Sequence, residues 1–270
     1  RYALQERSNG GRTMTQEERL DYLLKYLLSE REDYLDIRVP DKLSEKRRLL
    51  RSLMNVRPPA PIREDFLKVQ DAYLTKRLAE RGITKLEELS QVQHGLYLWQ
   101  GDITTLCVDA IVNAANSQML GCFVPCHGCI DNAIHTYAGV QLRLECAEIM
   151  HRQVHEEETG QAKLTKAYNL PCRYVLHTVG PIIHGTVTEQ DKKLMADCYR
   201  SCLDLAAENG LHSIAFCCIS TGEFHFPNEL AAEIAIQTVK QWQQHYQDKI
   251  EVVFNVFKDS DYEIYKRLLR

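Results

Sequence analysis

The sequence predicts an α/β protein in which a largely parallel β-sheet is covered by helices on both faces and preceded by a purely helical segment. Two observations lead to this fold class. From about residue 95, short apolar runs alternate with stretches of helical spacing, the pattern of repeated β-α-β units. Before residue 95, apolar residues recur at helical spacing only. We therefore expect a helical N-terminal extension over residues 1–94 and an α/β domain over residues 95–270.

The N-terminal extension is predicted to contain three helices. Thr15, followed three positions later by Glu18, is the signature of a capping box at the start of the first. Its apolar face is predicted to consist of Leu20, Leu23, Leu24, Leu27 and Leu28. A second helix is expected over about 42–55, ended by a proline-rich stretch, and a third over 63–80, closed at Gly82. We find no nucleophile or metal motif in this segment, so its expected role is packing or contact with a partner.

The α/β domain is predicted to alternate strands and helices to the end of the chain. The expected strands are 96–100, 110–113, 174–178, 213–219 and 251–256. The expected helices are 130–150, 189–208, 228–246 and 260–269. Parallel sheets bind ligands at the carboxyl ends of their strands. Ligand-binding residues are therefore expected at 112–121 and 220–227, where two of the predicted strands end.

Composition limits the class of protein. Of the 270 residues, 44% are hydrophobic and 26% are charged, which is ordinary for a soluble globular protein. The sequence has no apolar run long enough for a membrane span, and the first residues show no apolar core of a secretory signal. In a chain of this length without such a signal, the ten cysteines are expected to be reduced. We therefore expect a cytoplasmic protein.

Charge is unevenly divided between the two segments. Residues 1–94 hold 19 Lys and Arg against 16 Asp and Glu, whereas residues 95–270 hold 14 against 21. Neither segment has the strong basic excess of a surface that binds duplex nucleic acid. Nucleic acid is therefore a disfavoured partner, although a free nucleotide is not.

A cluster of soft metal ligands lies between a predicted strand and a predicted helix. Cys122, Cys126, His127 and Cys129 fall within eight residues, and thiolates beside an imidazole are the ligand set that zinc prefers. If Cys122, His127 and Cys129 alone bind the metal, one coordination position stays open for chemistry. If Cys126 is a fourth ligand, the site is closed and structural. The spacing leaves both alternatives open.

Four polar residues flank this cluster, and each has a structural and a functional interpretation. Asn113 and Asn116 follow a strand, where an amide either holds a turn or orients a ligand hydroxyl. Asp131 opens the next helix and is either its N-cap or a general base. Asp102 either caps a turn or accepts a hydrogen bond from an exocyclic amine.

The second segment of interest follows the strand predicted at 213–219. Gly222 allows the backbone to approach a ligand closely, and the helix expected from residue 228 presents an N-terminus that favours anions, so a phosphate fits here. Phe224 and Phe226 could stack on a sugar or base. An ordinary strand-to-helix turn is the alternative.

Taken in order, these segments resemble a macrodomain, the ADP-ribose-binding module. The resemblance extends from about residue 96 to residue 270. It rests on the motifs at 101–104, 111–116, 130–135, 138–139, 180–181, 219–222 and 226–227. In the common hydrolytic macrodomains, a glycine-rich run precedes the equivalent of Asp131, and here GCFVPCHGC stands at 121–129 instead. This departure resembles the zinc-dependent branch of the family found in microbes, which also carries a helical N-terminal extension.

The resemblance implies a three-layer α/β/α fold with a mixed, largely parallel sheet, and it assigns roles to individual residues. Asp102 would accept a hydrogen bond from the adenine amine, and the backbone of Ile103 would meet the ring. The expected substrate-binding residues are Asp102, Ile103, Asn113, Ile130, Ser220, Thr221, Gly222, Glu223, Phe224 and Phe226. The expected catalytic residues are Asp131, acting on water, and Asn116, fixing the distal ribose. One zinc ion would be held by Cys122, His127 and Cys129, without Cys126.

The implied activity is hydrolysis of mono-ADP-ribose from modified protein side chains. The implied partners are ADP-ribose or an ADP-ribosylated protein, and some members of this branch are thought to act with a sirtuin-like transferase on a lipoyl-carrier protein. Three alternatives remain open at this point. They are a non-catalytic ADP-ribose reader, an esterase acting on O-acyl-ADP-ribose, and a purely structural zinc site with four ligands.

Overall fold

The structure is a computed structural model that describes residues 12–247 and 249–270. The expectations of a helical extension from residue 1 and of no secretory signal also cover residues 1–11, which lie outside the described residues. The α-helices of the described part are α1 (Gln16–Ser29), α2 (Leu43–Val56), α3 (Glu64–Arg81), α4 (Ile130–Ala138), α5 (Val140–Gln153), α6 (Glu189–Glu208), α7 (Asn228–His245) and α8 (Asp259–Leu268). None of the described helices is both long and apolar enough to cross a membrane.

The three N-terminal helices form as the sequence predicts. In the capping box, the Glu18 amide donates to Thr15 Oγ1 over 3.2 Å and the Thr15 amide donates to Glu18 Oε2 over 2.7 Å. The α3 helix ends at Gly82, whose φ of +86° is a conformation that favours glycine. Apolar side chains of α1, α2 and α3 share a hydrophobic cluster that also includes Val140, the first residue of α5. The extension therefore packs directly against the helices that follow the metal-ligand cluster.

The strands form one large sheet and one small one. They are β1 (Thr84–Lys85), β2 (Gln91–Gln93), β3 (Leu96–Gln100), β4 (Leu106–Cys107), β5 (Ala110–Ala115), β6 (Ala162–Lys166), β7 (Tyr174–Val179), β8 (Ser213–Phe216) and β9 (Glu251–Val256). The large sheet has the order β2-β3-β9-β8-β5-β7-β6, and β1 pairs with β4 in the small one. The β2–β3 and β6–β7 pairs are antiparallel and the other pairs of the large sheet are parallel. The predicted mixed, largely parallel sheet is confirmed.

Helices cover both faces of this sheet. Consecutive residues of a strand point to opposite faces, and both Ile111 and Val112 are fully buried. The same holds for Val252 and Val253 in β9. Both faces of the central strands are therefore packed, and one continuous core joins the sheet to helices α4 to α8. This is the three-layer arrangement that the sequence predicts.

Some predicted elements are wrong in extent. The single helix predicted at 130–150 is two helices, because Gly139 between α4 and α5 has a φ of +104°. The strand predicted at 110–113 continues to residue 115, and the strand predicted at 213–219 ends at residue 216. The short strands β1, β2 and β4 and the edge strand β6 were not predicted. They are polar or only two or three residues long, so they leave little hydrophobic signal.

The boundary between the two segments at residue 94 stays a prediction. β2 precedes this position, yet it pairs with β3 at the edge of the large sheet. The 3-10 turn over Leu86–Glu88 also precedes it, and its Leu86 packs against the main core.

Candidate functional site

Most of the predicted site residues lie on loops at one edge of the sheet, while Asn113 belongs to β5 and Ile130 and Asp131 belong to the first turn of α4. Because β3, β5, β7, β8 and β9 run parallel within the large sheet, their carboxyl ends meet at the same edge. The segment from Asn116 to Cys129, which we call the metal loop, follows β5 and leads into α4. The segment from Ser220 to Phe226, which we call the phosphate loop, lies between β8 and α7. Such an edge is where α/β proteins place their ligands.

The metal loop brings three of its predicted ligands together. One ligand atom each of Cys122, His127 and Cys129 lies within 4.8 Å of the other two. Nδ1 of His127 is buried without a hydrogen-bond partner, while Nε2 lies 3.7 Å from a carboxylate oxygen of Glu223 in the phosphate loop. Two sulfurs and an imidazole suit zinc, and a metal-bound imidazole commonly meets a carboxylate through its other nitrogen. The residues present therefore fit a soft divalent metal.

Cys126 faces away from this cluster. Its Sγ lies 3.2 Å from Ser52 Oγ and 3.5 Å from the Arg48 carbonyl oxygen, both in α2. Its amide donates to Asn55 Oδ1 over 2.9 Å. The geometry assembles three ligand side chains and directs the fourth candidate toward the helical extension.

Cys129 joins the metal loop to the start of α4. It is the N-cap residue of this helix, and its Sγ accepts a hydrogen bond from the Asn132 amide over 3.3 Å. Burial raises the pKa of the Cys129 thiol to about 12, and the nearby Cys122 sulfur and Asp131 carboxylate also raise it. A thiolate at this position therefore needs a cation close by. Because Cys129 occupies the N-cap, Asp131 lies inside the first helical turn and is not the N-cap.

Asp131 has a buried carboxyl group that is hydrogen-bonded to a residue of the sheet. It is 5% exposed, and its Oδ1 accepts a hydrogen bond from Asn113 Nδ2 over 2.8 Å. His135 Nε2 lies 3.6 Å from the same oxygen. Burial raises the pKa of Asp131 to about 6, although the Asn113 hydrogen bond opposes this shift. A carboxyl group with a pKa so close to neutrality is suited to proton transfer.

Asn113 is fully buried within β5 and supports Asp131. Its Nδ2 also lies 3.1 Å from Nδ1 of His177, whose Nε2 is 2.9 Å from Thr165 Oγ1. Burial lowers the pKa of His177 to about 3, which keeps the ring neutral. The structure thus places the buried Asn113 between the Asp131 carboxylate and His177. A direct contact of Asn113 with substrate stays a prediction.

A second set of metal-ligand side chains lies deeper in the domain. His135, Cys146 and His177 are buried, and a ligand atom of each lies within 4.8 Å of the others. Both ring nitrogens of His177 already face Asn113 and Thr165. These contacts assign His177 to a buried hydrogen-bond network. The three residues lie far apart along the sequence, so spacing gives no signal for them.

Asn116 holds the turn that begins the metal loop. Its Oδ1 accepts from the Gln118 amide over 3.1 Å, and its Nδ2 lies 3.4 Å from the Gly121 carbonyl oxygen. The turn interpretation is therefore observed, and the contact with a ribose stays a prediction. Ile130, the first residue of α4, is partly buried beside this loop.

Asp102 lies two residues after the end of β3 and caps the short 3-10 turn at Ile103–Thr105. Its Oδ1 accepts from the Thr104 amide over 2.9 Å, and its Oδ2 pairs with Arg81 at 3.0 Å. The side chain is nevertheless 45% exposed, so it remains accessible to a ligand. Ile103 is only 1% exposed, so the contact of its backbone with an adenine ring stays a prediction. Arg81 comes from α3 and was not anticipated from the sequence.

A further aromatic residue missed by the sequence analysis lies at this end of the site. Phe257 directly follows β9 and is 78% exposed. The Gly101 amide donates to the carbonyl oxygen of Val256 over 3.1 Å. Because Asp102 follows Gly101 and Phe257 follows Val256, this hydrogen bond brings the backbones of Asp102 and Phe257 near each other. The signal for it was available, because an aromatic residue follows the end of a predicted parallel strand.

The phosphate loop is closed by its own backbone. The Phe226 amide donates to the Ser220 carbonyl oxygen over 2.8 Å, and the His225 amide donates to that of Gly222 over 3.0 Å. Ser220 has a φ of +62°, and its buried Oγ has no hydrogen-bond partner. A side chain added at Gly222 would meet open space, so a ligand can approach the backbone there.

The remaining phosphate-loop side chains have different surroundings. Thr221 Oγ1 donates to the Cys218 carbonyl oxygen over 2.9 Å, and Glu223 is exposed. Phe224 is partly buried against a cluster of Ala115, Met119 and Val179. Phe226 is only 1% exposed and belongs to the main core. Of the two aromatics, only Phe224 reaches the surface in this structure.

Comparison with known proteins decides the family. A family model described as Macro domain matches residues 112–235. A curated relative from Treponema medium, named protein-ADP-ribose hydrolase, is 56% identical over 260 residues, which cover 95% of this chain and all of the relative. This chain belongs to the macrodomain family.

Two other relatives extend this picture of the macrodomain. A relative from Fusarium oxysporum, named as a probable bifunctional ADP-ribose hydrolase/ADP-ribosyltransferase, is 45% identical over 82% of this chain and 40% of its own length. Among solved structures, the Trypanosoma brucei macrodomain in complex with ADP-ribose is 32% identical, with a TM-score of 0.64. The match covers 82% of this chain and 95% of that one.

Proposed function

We propose that this macrodomain is a zinc-dependent protein-ADP-ribose hydrolase that removes mono-ADP-ribose from modified protein side chains. The relative from Treponema medium carries the name of that activity, and the Trypanosoma brucei macrodomain binds ADP-ribose. The observation that carries the proposal is the position of the Cys122, His127 and Cys129 cluster, because Cys129 and the buried carboxyl group of Asp131 begin the same helix.

Cys122, His127 and Cys129 would hold the zinc ion. When bound, zinc supplies positive charge that polarises the distal ribose hydroxyls or a water molecule. With only these three protein ligands, a coordination position would stay free for such a group, and the contacts of Cys126 with α2 support its exclusion from the ligand set. Glu223 would fix the orientation of the His127 ring through Nε2.

Asp131 would serve as the group that accepts a proton from the attacking water. Its pKa of about 6 leaves most of the carboxyl ionised at neutral pH yet close enough to neutrality to accept a proton. The oxygen of the water forms the new bond to the anomeric carbon, or to the acyl carbon of an ester link. The bond to the protein side chain breaks, and the proton passes to the leaving group. The products are ADP-ribose and unmodified protein.

The rest of the cleft would bind the nucleotide. Asp102 would accept from the adenine amine, the Ile103 backbone would meet the ring, and exposed Phe257 would stack on it. The phosphate loop would bind the diphosphate with backbone N–H groups near Gly222, and the N-terminus of α7 favours negative charge nearby. Asn116 would orient the distal ribose, which would lie nearest the metal loop.

The target and its modifying enzyme belong to the same proposal. A sirtuin-like transferase acting on a lipoyl-carrier protein would supply the ADP-ribosylated substrate, and the protein would work in the cytoplasm. The Fusarium oxysporum relative supports a pairing with a transferase, because its name joins an ADP-ribose hydrolase to an ADP-ribosyltransferase in one chain.

The test combines zinc content with release of ADP-ribose from a mono-ADP-ribosylated protein, measured with and without a chelator. We expect stoichiometric zinc, turnover by the untreated protein, and loss of turnover on chelation and in Cys129→Ser. Full turnover by demonstrably metal-free protein would refute the role of zinc. Binding of ADP-ribose without turnover of any modified protein would instead identify a reader, and turnover of O-acyl-ADP-ribose alone would identify an esterase.

A further inference from the structure

The metal loop contains turns but no regular secondary structure, and its second half depends on contacts from outside the loop. No helix or strand forms between Asn116 and Cys129. Cys126 has a φ of +54°, a left-handed conformation that is strained for a residue with a side chain. Such a conformation persists only where surrounding contacts impose it. The contacts that do so come from the C-terminal half of α2, in the helical extension.

Asn55 is the central contact between α2 and the metal loop. It is 2% exposed, and its Oδ1 accepts a hydrogen bond from the Cys126 amide over 2.9 Å. Its Nδ2 donates over 3.0 Å to Thr136 Oγ1 in α4. One side chain of the extension therefore fixes Cys126 and, at the same time, the helix α4, whose N-cap is Cys129.

Arg143 ties the end of α2 to the first half of the loop. It is 5% exposed, and its Nη1 donates to the carbonyl oxygens of Asn55 at 2.8 Å and Arg57 at 2.7 Å. Its Nε donates to the Leu120 carbonyl oxygen over 2.6 Å, and its Nη2 lies 3.3 Å from that of Cys122. Carbonyls at a helix C-terminus have no partner within the helix and carry partial negative charge, so they suit a buried cation. One guanidinium thereby connects α2 to the backbone of a metal-ligand residue.

Arg51 completes the contact from the preceding turn of α2. Its Nη2 donates to Asn132 Oδ1 over 2.9 Å. Asn132 Nδ2 in turn donates over 2.9 Å to the Val124 carbonyl oxygen. That oxygen also accepts from the His127 amide over 3.2 Å. The turn that carries His127 is therefore held through Asn132 by the same helix.

We propose that the C-terminal half of α2 is a template for the metal loop, and that Asn55 and Arg143 are positioning residues that preorganise Cys122, His127 and Cys129. This assigns a role to the helical extension: it holds the metal ligands in place. Preorganised ligands bind metal more tightly, because the entropy of ordering the loop is lost on folding and not on metal binding. The proposal rests on the proposed function for the binding of a metal at this cluster, whereas the contacts between α2 and the loop are independent of it.

The first test is amide hydrogen exchange in metal-free protein, comparing wild type, Asn55→Ala and Met54→Ala. The Cys126 amide donates directly to Asn55, so in Asn55→Ala the amides of Cys126 and His127 should exchange much faster while exchange in the sheet is unchanged. Met54 neighbours Asn55, but its side chain packs in the cluster of the extension. Met54→Ala therefore controls for general destabilisation and should leave the loop amides protected relative to the rest of the protein.

The second test is zinc affinity, measured by competition with a chromophoric chelator. Replacing groups that orient metal ligands commonly weakens affinity by about tenfold or more, and we expect this for Asn55→Ala. Arg143→Lys keeps the charge but loses the planar fork, so it should weaken zinc binding as well and serves if Asn55→Ala does not fold. Unchanged loop exchange and unchanged zinc affinity in a folded variant would overturn the proposal. If wild type itself binds no zinc, the proposed function loses its metal, while the exchange comparison still decides the role of Asn55.

Discussion

Asn113 donates a hydrogen bond from Nδ2 to Oδ1 of Asp131 over 2.8 Å, and both side chains are buried. Asn113 belongs to the central strand β5, whereas Asp131 belongs to the first turn of α4. The direction of the Asp131 carboxylate is therefore set by a buried residue of the sheet and not by the loop that precedes it. A carboxylate held in this way keeps its geometry when substrate enters or leaves.

Removing this hydrogen bond should reduce turnover more than binding. In Asn113→Ala, Asp131 loses its only hydrogen bond from β5 and can rotate, so we expect kcat to fall while KM changes little. Leaving buried partners unpaired should also cost about 1–3 kcal/mol of stability. Steady-state kinetics and urea unfolding measure the two effects.

Thr165→Val is the matched control for this variant. It removes the contact to His177 Nε2 but not the hydrogen bond to Asp131. It should lower stability while retaining kcat. Equal losses of kcat in the two variants would show that stability, and not the direction of the carboxylate, accounts for the effect.

The buried His177 should make the protein less stable at acidic pH. Its pKa is lowered from 6.5 to about 3 by burial, so between these values the unfolded chain binds a proton that the folded chain does not. Above pH 6.5 the ring is neutral in both states, so the His177 contribution to the free energy of unfolding is at its maximum. Below that it should fall by up to about 1.4 kcal/mol for each pH unit toward pH 3.

His177→Gln isolates this contribution, because a glutamine amide can still contact Asn113 and Thr165 but does not titrate. Urea unfolding of both proteins across that pH range should show a shallower pH dependence for the variant. His135, whose pKa burial also lowers, is present in both proteins and contributes to both curves. Identical slopes in the two proteins would contradict the neutral, buried state of His177.

The sequence predicts the large elements of the fold because they carry periodic apolar residues. The apolar run of β5 and four of the five predicted leucines of α1 are buried as their spacing indicates, and the fifth, Leu28, is partly buried. The break at Gly139 was missed, since apolar residues continue at helical spacing on both sides of it. The break depends on the positive φ of Gly139 and on close packing there, since a Cβ atom added at Gly139 would lie 2.6 Å from Nε2 of Gln70 in α3. Such a tertiary constraint has no trace in local periodicity.

In the candidate site, too, the residues predicted from the sequence are those with a local signal, and the residues placed by tertiary packing were missed. Cys122, His127 and Cys129 could be named in advance because they lie close together in sequence and carry specific chemistry. The residues that hold them could not. Asn55 and Arg143 lie 71 residues before Cys126 and 21 residues after Cys122 respectively, and polar side chains on helices normally face solvent. Only the packing of the extension against α4 and α5 reveals that they point inward.

Asp102 should recognise the exocyclic amine of adenine. We expect Asp102→Ala to weaken binding of ADP-ribose, because the exposed carboxylate oxygen no longer accepts from the amine. The hypoxanthine analogue of ADP-ribose lacks this amine, so the same substitution should not weaken its binding. Isothermal titration of both ligands against both proteins forms a cycle that isolates the contact.

Arg81→Ala is the control for this cycle. It removes the ion pair to Asp102 Oδ2 while leaving the carboxylate in place. It should therefore preserve the preference for adenine over hypoxanthine. An equal loss of affinity for both ligands in Asp102→Ala would mean that Asp102 acts only by capping the turn at Ile103–Thr105.

Replacing Cys126 and Cys129 in parallel separates a catalytic from a structural metal. Cys126→Ser should retain stoichiometric zinc, because its thiol lies against Ser52 in α2 and its amide contact to Asn55 does not depend on the side chain. Cys129→Ser should lose zinc, because it removes one of three clustered ligands. Metal content after gel filtration measures both. Loss of zinc from a folded Cys126→Ser protein would contradict this expectation, because it would mean that Cys126 turns toward the metal and closes a structural site of four ligands.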